Sequence, residues 1–315
     1  MQTRRRFLET STQLVLAAGG AALSAGSVSA KESRSSEPLH IASNEFPWNT
    51  FFSRDRLTWS HHDPRCLSRF ADSGVMGMEP IVTSAEDVAK LSPLLRDFRQ
   101  EMRSIYVNAR LHDRAVASET VARVVAIAEE ARHVGTQIVV TNPEPIKWGG
   151  PQDKSDDELT CQAEHLDTLG AELNRLGLRL AYHNHGSEMR SSAREFHHML
   201  AGTNPKHVAL CLDAHWIFRG SGNSQVCLFD IVTLYADRIV ELHLRQSHQG
   251  VWMESFGAGD IDYERLARIL AERKIHPHVV LEQAVENGSP KTVTAIDAHR
   301  TGLLAARDLF ETAKR

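Results

Sequence analysis

His183, His185 and Glu188 crowd into the stretch RLAYHNHGSEM, residues 179–189, directly behind residues that alternate in the manner of a strand. Further along, Asp213, His243 and Glu282 each fall at or near the end of an apolar run: VALCLDA (208–214), IVELHLR (239–245) and HVVLEQA (278–284). Imidazoles and carboxylates are the groups that bind divalent first-row metals and that carry protons near neutral pH. In a buried strand such groups cost several kcal/mol unless each is paired or bound to something. Consecutive runs ending in His, Asp, His and Glu therefore describe one site better than a series of unrelated loop caps. A metal held there would polarise a carbonyl, and a carboxylate beside it would take a proton from the adjoining carbon.

Periodicity gives the elements that must hold these residues. Strand-like runs at 39–43, 75–81, 104–110 and 136–142 precede four more at 178–184, 208–214, 239–245 and 278–284. Helix-like stretches separate them. The clearest covers 156–176, where Leu159, Ala163, Leu166, Leu169, Leu173 and Leu176 recur at three- and four-residue steps. Ser155 and Glu158 form a capping box at its start, and Gly177 ends it. Segment 262–273 repeats the pattern with Leu266, Ile269 and Leu270, and a final helix is expected near 294–313. This alternation predicts an α/β chain folded as a single (β/α)8 TIM barrel. A doubly wound open sheet is the competitor, but no Gly-rich phosphate fingerprint follows the first run. Barrel enzymes build their sites at the C-terminal strand ends. Here those ends read Glu79, Asn108, Asn142, His183 with His185, Asp213, His243 and Glu282.

Residues 1–30 read as an export signal: Arg4, Arg5 and Arg6, an apolar stretch, then the small-residue ending Val28-Ser29-Ala30. TRRRFLE looks like a twin-arginine address, read by the twin-arginine export machinery. The expectation is an exported, periplasmic protein with a polar linker at 31–37, a barrel domain over 38–315 and no stable membrane anchor. Apolar content of 42% with 24% charged residues suits a large buried core. A net charge of −4 offers no attraction to nucleic acid. Cys66, Cys161, Cys211 and Cys227 lack paired spacing, so no disulfide framework is expected, and Cys211 reads as core.

Over about residues 134–284 the chain resembles the xylose isomerase-like barrel superfamily of sugar isomerases and epimerases, which also holds endonuclease IV and inosose dehydratase. The resemblance rests on YHNHGSE, CLDAHWIFRGSG, ELHLRQS, GAGDIDYERL and VVLEQ. It implies one divalent metal (manganese, cobalt, magnesium or zinc) held by Glu, Asp, His and Glu from strands five to eight. Asp213, His243 and Glu282 match three of those positions. The fourth falls on His183, unless Glu188 folds back to supply the carboxylate. Trp216 stands where many relatives have His, as a sugar platform or a core filler. Arg245 stands where Lys is common and could orient an oxyanion. The variants YHNH…E and EQ resemble a branch near the dehydratases and keto-sugar enzymes.

The expected chemistry is proton abstraction beside a carbonyl, through an enediolate. Glu188 and Glu282 are the candidate bases, with His183 or His185 as partner acid; His185, Trp216, Arg245 and Asn142 are the candidate substrate contacts. Returning the proton to the neighbouring carbon isomerises a keto-sugar, and returning it to the opposite face epimerises it. Expelling a β-substituent dehydrates an inosose or cleaves a 3-keto-glycoside. GAGD reads as a turn into the next helix, with Asp262 near its start, so an unphosphorylated carbohydrate is favoured. A trinuclear nuclease would need histidines at the second and third strand ends, which carry Glu79 and Asn108. A non-catalytic exported sugar-binding barrel remains the alternative of a different class, raised by the replaced fourth ligand.

Overall fold

The computed structural model describes residues 39–313, and the expected signal and linker lie outside the described residues. Eight parallel strands form the wall: β1 (Ile41–Asn44), β2 (Gly77–Glu79), β3 (Ser104–Tyr106), β4 (Ile138–Thr141), β5 (Arg179–His183), β6 (Val208–Asp213), β7 (Ile239–Leu244) and β8 (His278–Leu281). Their order around the sheet is β2-β1-β8-β7-β6-β5-β4-β3. The remaining seam, between β2 and β3, is closed by isolated bridges that pair Gly77 with Glu101 and Ile81 with Tyr106. The architecture is the expected single (β/α)8 barrel.

β2 and β3 are shorter than their apolar runs suggest. Pro80 has no N–H to donate and ends β2, although its carbonyl still accepts from Tyr106 N. Helices α1 (Glu45–Arg54) and α2 (Pro64–Asp72) both follow β1, and α3 (Ala85–Asp97), α4 (Ala117–Arg132), α5 (Asp156–Arg175) and α6 (Arg190–Ala201) follow β2 to β5 in turn. After β6 come α7 (Ala214–Gly220) and α8 (Gln225–Tyr235), then α9 (Tyr263–Glu272) after β7 and α10 (Ala295–Thr312) after β8. The Ser155–Glu158 capping box forms at α5, and Gly177 takes the left-handed conformation just beyond it, at φ +77°. Among the described residues no helix is long and apolar enough to cross a membrane.

The main apolar core lies between strands and helices, from Trp48 and Phe51 of α1 round to Leu303 of α10. Inside the barrel the two halves differ. Tyr106, Ile138, Val140, Ala181 and Cys211 of β3 to β6 make an apolar patch. Next to this patch, with Glu241 paired directly to Cys211, Glu79, Glu241 and His243 bring ligand atoms together in full burial. All four cysteines are free, and Cys211 is fully buried as expected.

Candidate active site

Alternation along β7 sends Glu241, His243 and Arg245 to one face of the sheet. All three are buried. Register sets Asp213, the last residue of β6, beside His243, while His183 ends β5 and Glu282 follows β8 directly. His183, Asp213, His243 and Glu282 thereby each offer one ligand atom within 4.8 Å of the others. His183 Nε2 is 3.9 Å from both Asp213 Oδ2 and Glu282 Oε2, and His243 Nδ1 is 3.2 Å from Glu282 Oε2. These four atoms are buried and none makes a well-aligned hydrogen bond in the protein, although Glu282 Oε2 is ion-paired with Arg245 Nη2 at 2.7 Å.

The far side of three of these ligands is supported. Asp213 Oδ1 caps α7 by accepting from Trp216 N at 2.9 Å, which leaves Oδ2 free. His243 Nε2 sits 3.0 Å from Glu79 Oε1 and 3.2 Å from Glu241 Oε1, and Asn44 Nδ2 donates to that same Glu79 oxygen at 2.6 Å. The Tyr106 hydroxyl lies 3.4 Å from His183 Nδ1. Carboxylates behind a ligand imidazole fix its tautomer and raise its basicity. Four converging buried atoms, two nitrogen and two oxygen, with such backing fit a divalent cation.

Residues 67–304 match the family described as the xylose isomerase-like TIM barrel. The chain belongs to that family. It is 23% identical to inosose dehydratase of Clostridium perfringens over 250 residues, covering 69% of this chain and 81% of that one. Inosose dehydratase of Geobacillus kaustophilus is 25% identical over 199 residues, covering 59% and 62%. Among solved structures, a sugar phosphate isomerase/epimerase from Parabacteroides distasonis superposes with a TM-score of 0.65 at 15% identity, covering 90% and 98%. The 3-keto-D-glucoside 4-epimerase of E. coli gives 0.62 at 14%, covering 86% and 99%.

In this xylose isomerase-like barrel the electrostatics separate the candidate roles. Burial alone would raise the Glu282 carboxyl, but Arg245 and His243 outweigh it and hold it well below the usual range. Burial pushes Asp213 up to about 7 and Glu79 up to about 8. Burial also lowers His183, with His243 and His185 adding to the effect, and takes His185 down to about 4. Both rings are therefore neutral at neutral pH.

Glu188 stands apart from the cluster. Its Oε2 accepts from His185 N at 2.7 Å and its Oε1 from Asn142 Nδ2 at 3.4 Å. Both oxygens contact groups within the protein and Glu188 is not among the residues whose ligand atoms converge, so in this structure it ties down the turn that carries His185. Asn142 also donates to the His183 carbonyl at 3.2 Å, which makes it a brace for β5, with only Oδ1 unpartnered. The same turn runs into Ser191, Ser192 and Ala193, all left-handed at φ 52°, 62° and 56°. Each such non-glycine residue costs about 1–2 kcal/mol. The turn is clamped by Arg190, which reaches Asp153, Gly150 O and Gln152 O, and by Ser191 on Asp153.

Aromatic rings line the mouth. The Arg245 guanidinium lies 4.4 Å from the Trp252 ring, 5.2 Å from Trp216 and 5.7 Å from Phe46. His185 meets Trp216 at 5.6 Å and the edge of exposed Trp148 at 5.4 Å. Trp216 is thus part of this wall rather than core. Trp252 rides on a small hairpin, Ser247–His248 paired with Val251–Trp252. Asp260 of GAGD fastens that hairpin by accepting from Ser247 Oγ, Gln249 N and Gly250 N. Asp262 caps α9 as expected.

Asn108 has no place in this cluster: its carbonyl accepts from Arg123 on the outer side. Glu241, Tyr106, Trp148 and Trp252 were not anticipated. The alternation E-x-H-x-R in ELHLR is the signal that reveals Glu241. Tyr106 is the last residue of β3, two positions before Asn108.

Proposed function

We propose that this barrel is a divalent-metal-dependent enzyme that takes a proton from the carbon beside the carbonyl of an unphosphorylated keto-sugar or related polyol, and acts as an isomerase or epimerase. The observation that carries the reading is the convergence of four buried atoms from His183, Asp213, His243 and Glu282. Bound there, the cation would act as a Lewis acid on the substrate carbonyl.

The remaining residues supply the handling of substrate and proton. Trp216 and Trp148 offer flat apolar faces to a sugar ring, with Trp252 packed behind Arg245, and the unpartnered Nη1 of Arg245 can hold an oxygen that gains charge. His185, neutral and with Nδ1 unpartnered, is the proton carrier beside the cluster. Glu282 stays ionised against Arg245 and serves as ligand before base. The oxygens of Asp260 are committed to the hairpin, and no phosphate cradle is formed at GAGD, which supports an unphosphorylated substrate.

A second reading is elimination from an inosose or a 3-keto-glycoside at the same site. It is favoured by the inosose dehydratases of Clostridium perfringens and Geobacillus kaustophilus among the sequence relatives. Both reactions begin with the same proton transfer. Incubation of metal-loaded protein with keto-hexoses, inososes and 3-keto-glycosides in heavy water tests them together. Deuterium entering recovered substrate or product supports the proposal, and loss of water or of an alkoxyl identifies the lyase. If sugars bind and no proton exchanges in any of them, the protein is a binding barrel.

Arg4, Arg5 and the Val28-Ser29-Ala30 ending further lead us to propose export to the periplasm through the twin-arginine machinery.

A further inference from the structure

A second cluster of imidazole and carboxylate groups lies away from the barrel axis. His61 and His62 stand in the connection between α1 and α2, Asp87 lies in the first turn of α3, and Glu45 opens α1. The three ligand atoms form a tight triangle. His61 Nε2 is 3.2 Å from His62 Nε2 and 3.0 Å from Asp87 Oδ1, and His62 Nε2 is 2.7 Å from that same oxygen. Edges of a tetrahedral zinc site with bonds of about 2.0–2.1 Å are about 3.3 Å, so a cation seats here after shifts of a few tenths of an ångström.

The partners of each group strengthen the case. Glu45 Oε2 lies 2.9 Å from His61 Nδ1 and fixes the proton of a neutral ring on that nitrogen. The Nε2 lone pair of His61 then faces both a second imidazole nitrogen and a carboxylate oxygen. That arrangement calls for a positive charge among the three atoms, supplied either by a cation or by a second proton on His61 donated to Asp87. Asp87 Oδ2 is occupied by Thr83 N at 3.0 Å and Thr83 Oγ1 at 3.3 Å, so Oδ1 is presented inward. Glu45 is itself fixed by Trp59 Nε1 at 2.7 Å and Ile81 N at 2.9 Å. A carboxylate on the far nitrogen of a ligand histidine is the usual outer support of a metal site. His62 is 36% exposed, which leaves a coordination position open to water.

We infer that His61, His62 and Asp87, backed by Glu45, form a second cation site for a borderline-soft divalent metal of the zinc class. It ties the α1–α2 connection to α3 on the rim that holds the strand C-termini. The competing occupant is a proton on His61 shared between Glu45 and Asp87, and the two differ in what they bind.

The test is equilibrium dialysis of the purified full chain against zinc(II), buffered by a chelator at about micromolar free metal, followed by elemental analysis. Wild type is expected to hold two equivalents. His62→Ala and His62→Gln should each hold one, Asp213→Ala one, and the double variant none. Added zinc(II) should raise the melting temperature of Asp213→Ala and leave that of Asp213→Ala/His62→Ala unmoved. If wild type holds one equivalent that Asp213→Ala loses, the proton is the occupant and the inference is overturned. It is overturned equally if both His62 variants keep two equivalents. If Asp213→Ala keeps two that fall to one with His62→Ala, this site stands and the axial ligand assignment fails instead.

Discussion

Arg245 Nη2 lies 2.7 Å from Glu282 Oε2, and both side chains are hidden from water. The arginine keeps Glu282 ionised throughout the working pH range, so no proton has to leave that carboxylate when a cation arrives. The same stabilisation makes Glu282 a weak proton acceptor. Arg245→Met removes the larger of the two compensating charges and leaves the buried carboxylate with His243 as its remaining partner, at a cost of up to about 3–5 kcal/mol in metal-free protein. A cation replaces the missing charge. Melting of chelator-treated protein with and without manganese(II) should therefore show a larger metal-induced rise for Arg245→Met than for wild type. Equal rises would contradict the pairing.

His183 and Glu188 part company in the structure, and their variants should do the same. His183→Ala is expected to lose bound metal on the order of a hundredfold in affinity, by comparison with the 10–100-fold cost of removing even an outer support. Glu188→Gln should retain metal in full. In the heavy-water exchange, His185→Asn should lose on the order of a hundredfold or more, and Glu188→Gln distinctly less, through the looser turn. If Glu188→Gln abolishes exchange and His185→Asn does not, the two roles are reversed.

Metal affinity should depend on pH through Asp213. Burial pushes its carboxyl up to about 7, and only the ionised form is a ligand. Affinity is expected to fall as pH drops below about 7 and to go on rising above it, because His243, which burial lowers but its neighbours Cys211, Glu79 and Glu282 hold well above the ordinary imidazole value, must also lose a proton to bind. In metal-free protein the sign is opposite. A carboxyl raised from its unfolded value near 3.9 binds its proton more readily when folded, so it contributes stability at low pH that is lost as pH rises through 7. Calorimetric titrations between pH 5 and 8 read the first effect directly.

Trp252 is buried beside the site, its ring in contact with both Arg245 and Arg219. Trp252→Ala should raise KM for the substrate about tenfold, matching a cation–π contribution of about 1–2 kcal/mol. Metal content should not change. A drop in kcat alone, with KM intact, would place Trp252 outside substrate binding.

Changing Arg4 and Arg5 together to Lys should strand the precursor inside the cell, because the paired arginines are what the export receptor reads. Fractionation of cells that carry a reporter fusion measures this. Equal export of the changed signal would remove the twin-arginine route.

Much of the barrel was legible because burial on both faces writes strands as continuous apolar runs, as in VALCLDA and IVELHLR. The Ser155–Glu158 box marked the start of α5 for an equally local reason. The choice between His183 and Glu188 was not legible. It depends on which way a turn folds, and that turn uses Ser191, Ser192 and Ala193 in conformations their sequence does not advertise. Glu241 escaped a reading confined to strand ends because it sits one inward step below His243. Trp252 escaped because its hairpin interrupts the strand–helix alternation, and His61, His62 and Asp87 because they belong to two separate segments that meet only in the fold.

The barrel wall is a ring with a clasp. Around β4, β5 and β6 the ladders are continuous, but between β2 and β3 the backbone is joined through Glu101 N to Met76 O, Met78 N to Glu101 O, Tyr106 N to Pro80 O and Val82 N to Tyr106 O. Breathing of the wall will concentrate at that clasp, so the amides of Met78, Val82 and Tyr106 should trade their hydrogens for deuterium before those of Leu210 or Leu242. Glu79 and Tyr106, which brace the imidazoles of His243 and His183, sit on its two jaws. Opening the clasp would therefore loosen the two imidazoles while Asp213 and Glu282 keep their places, so a cation bound there would be released from the histidine side.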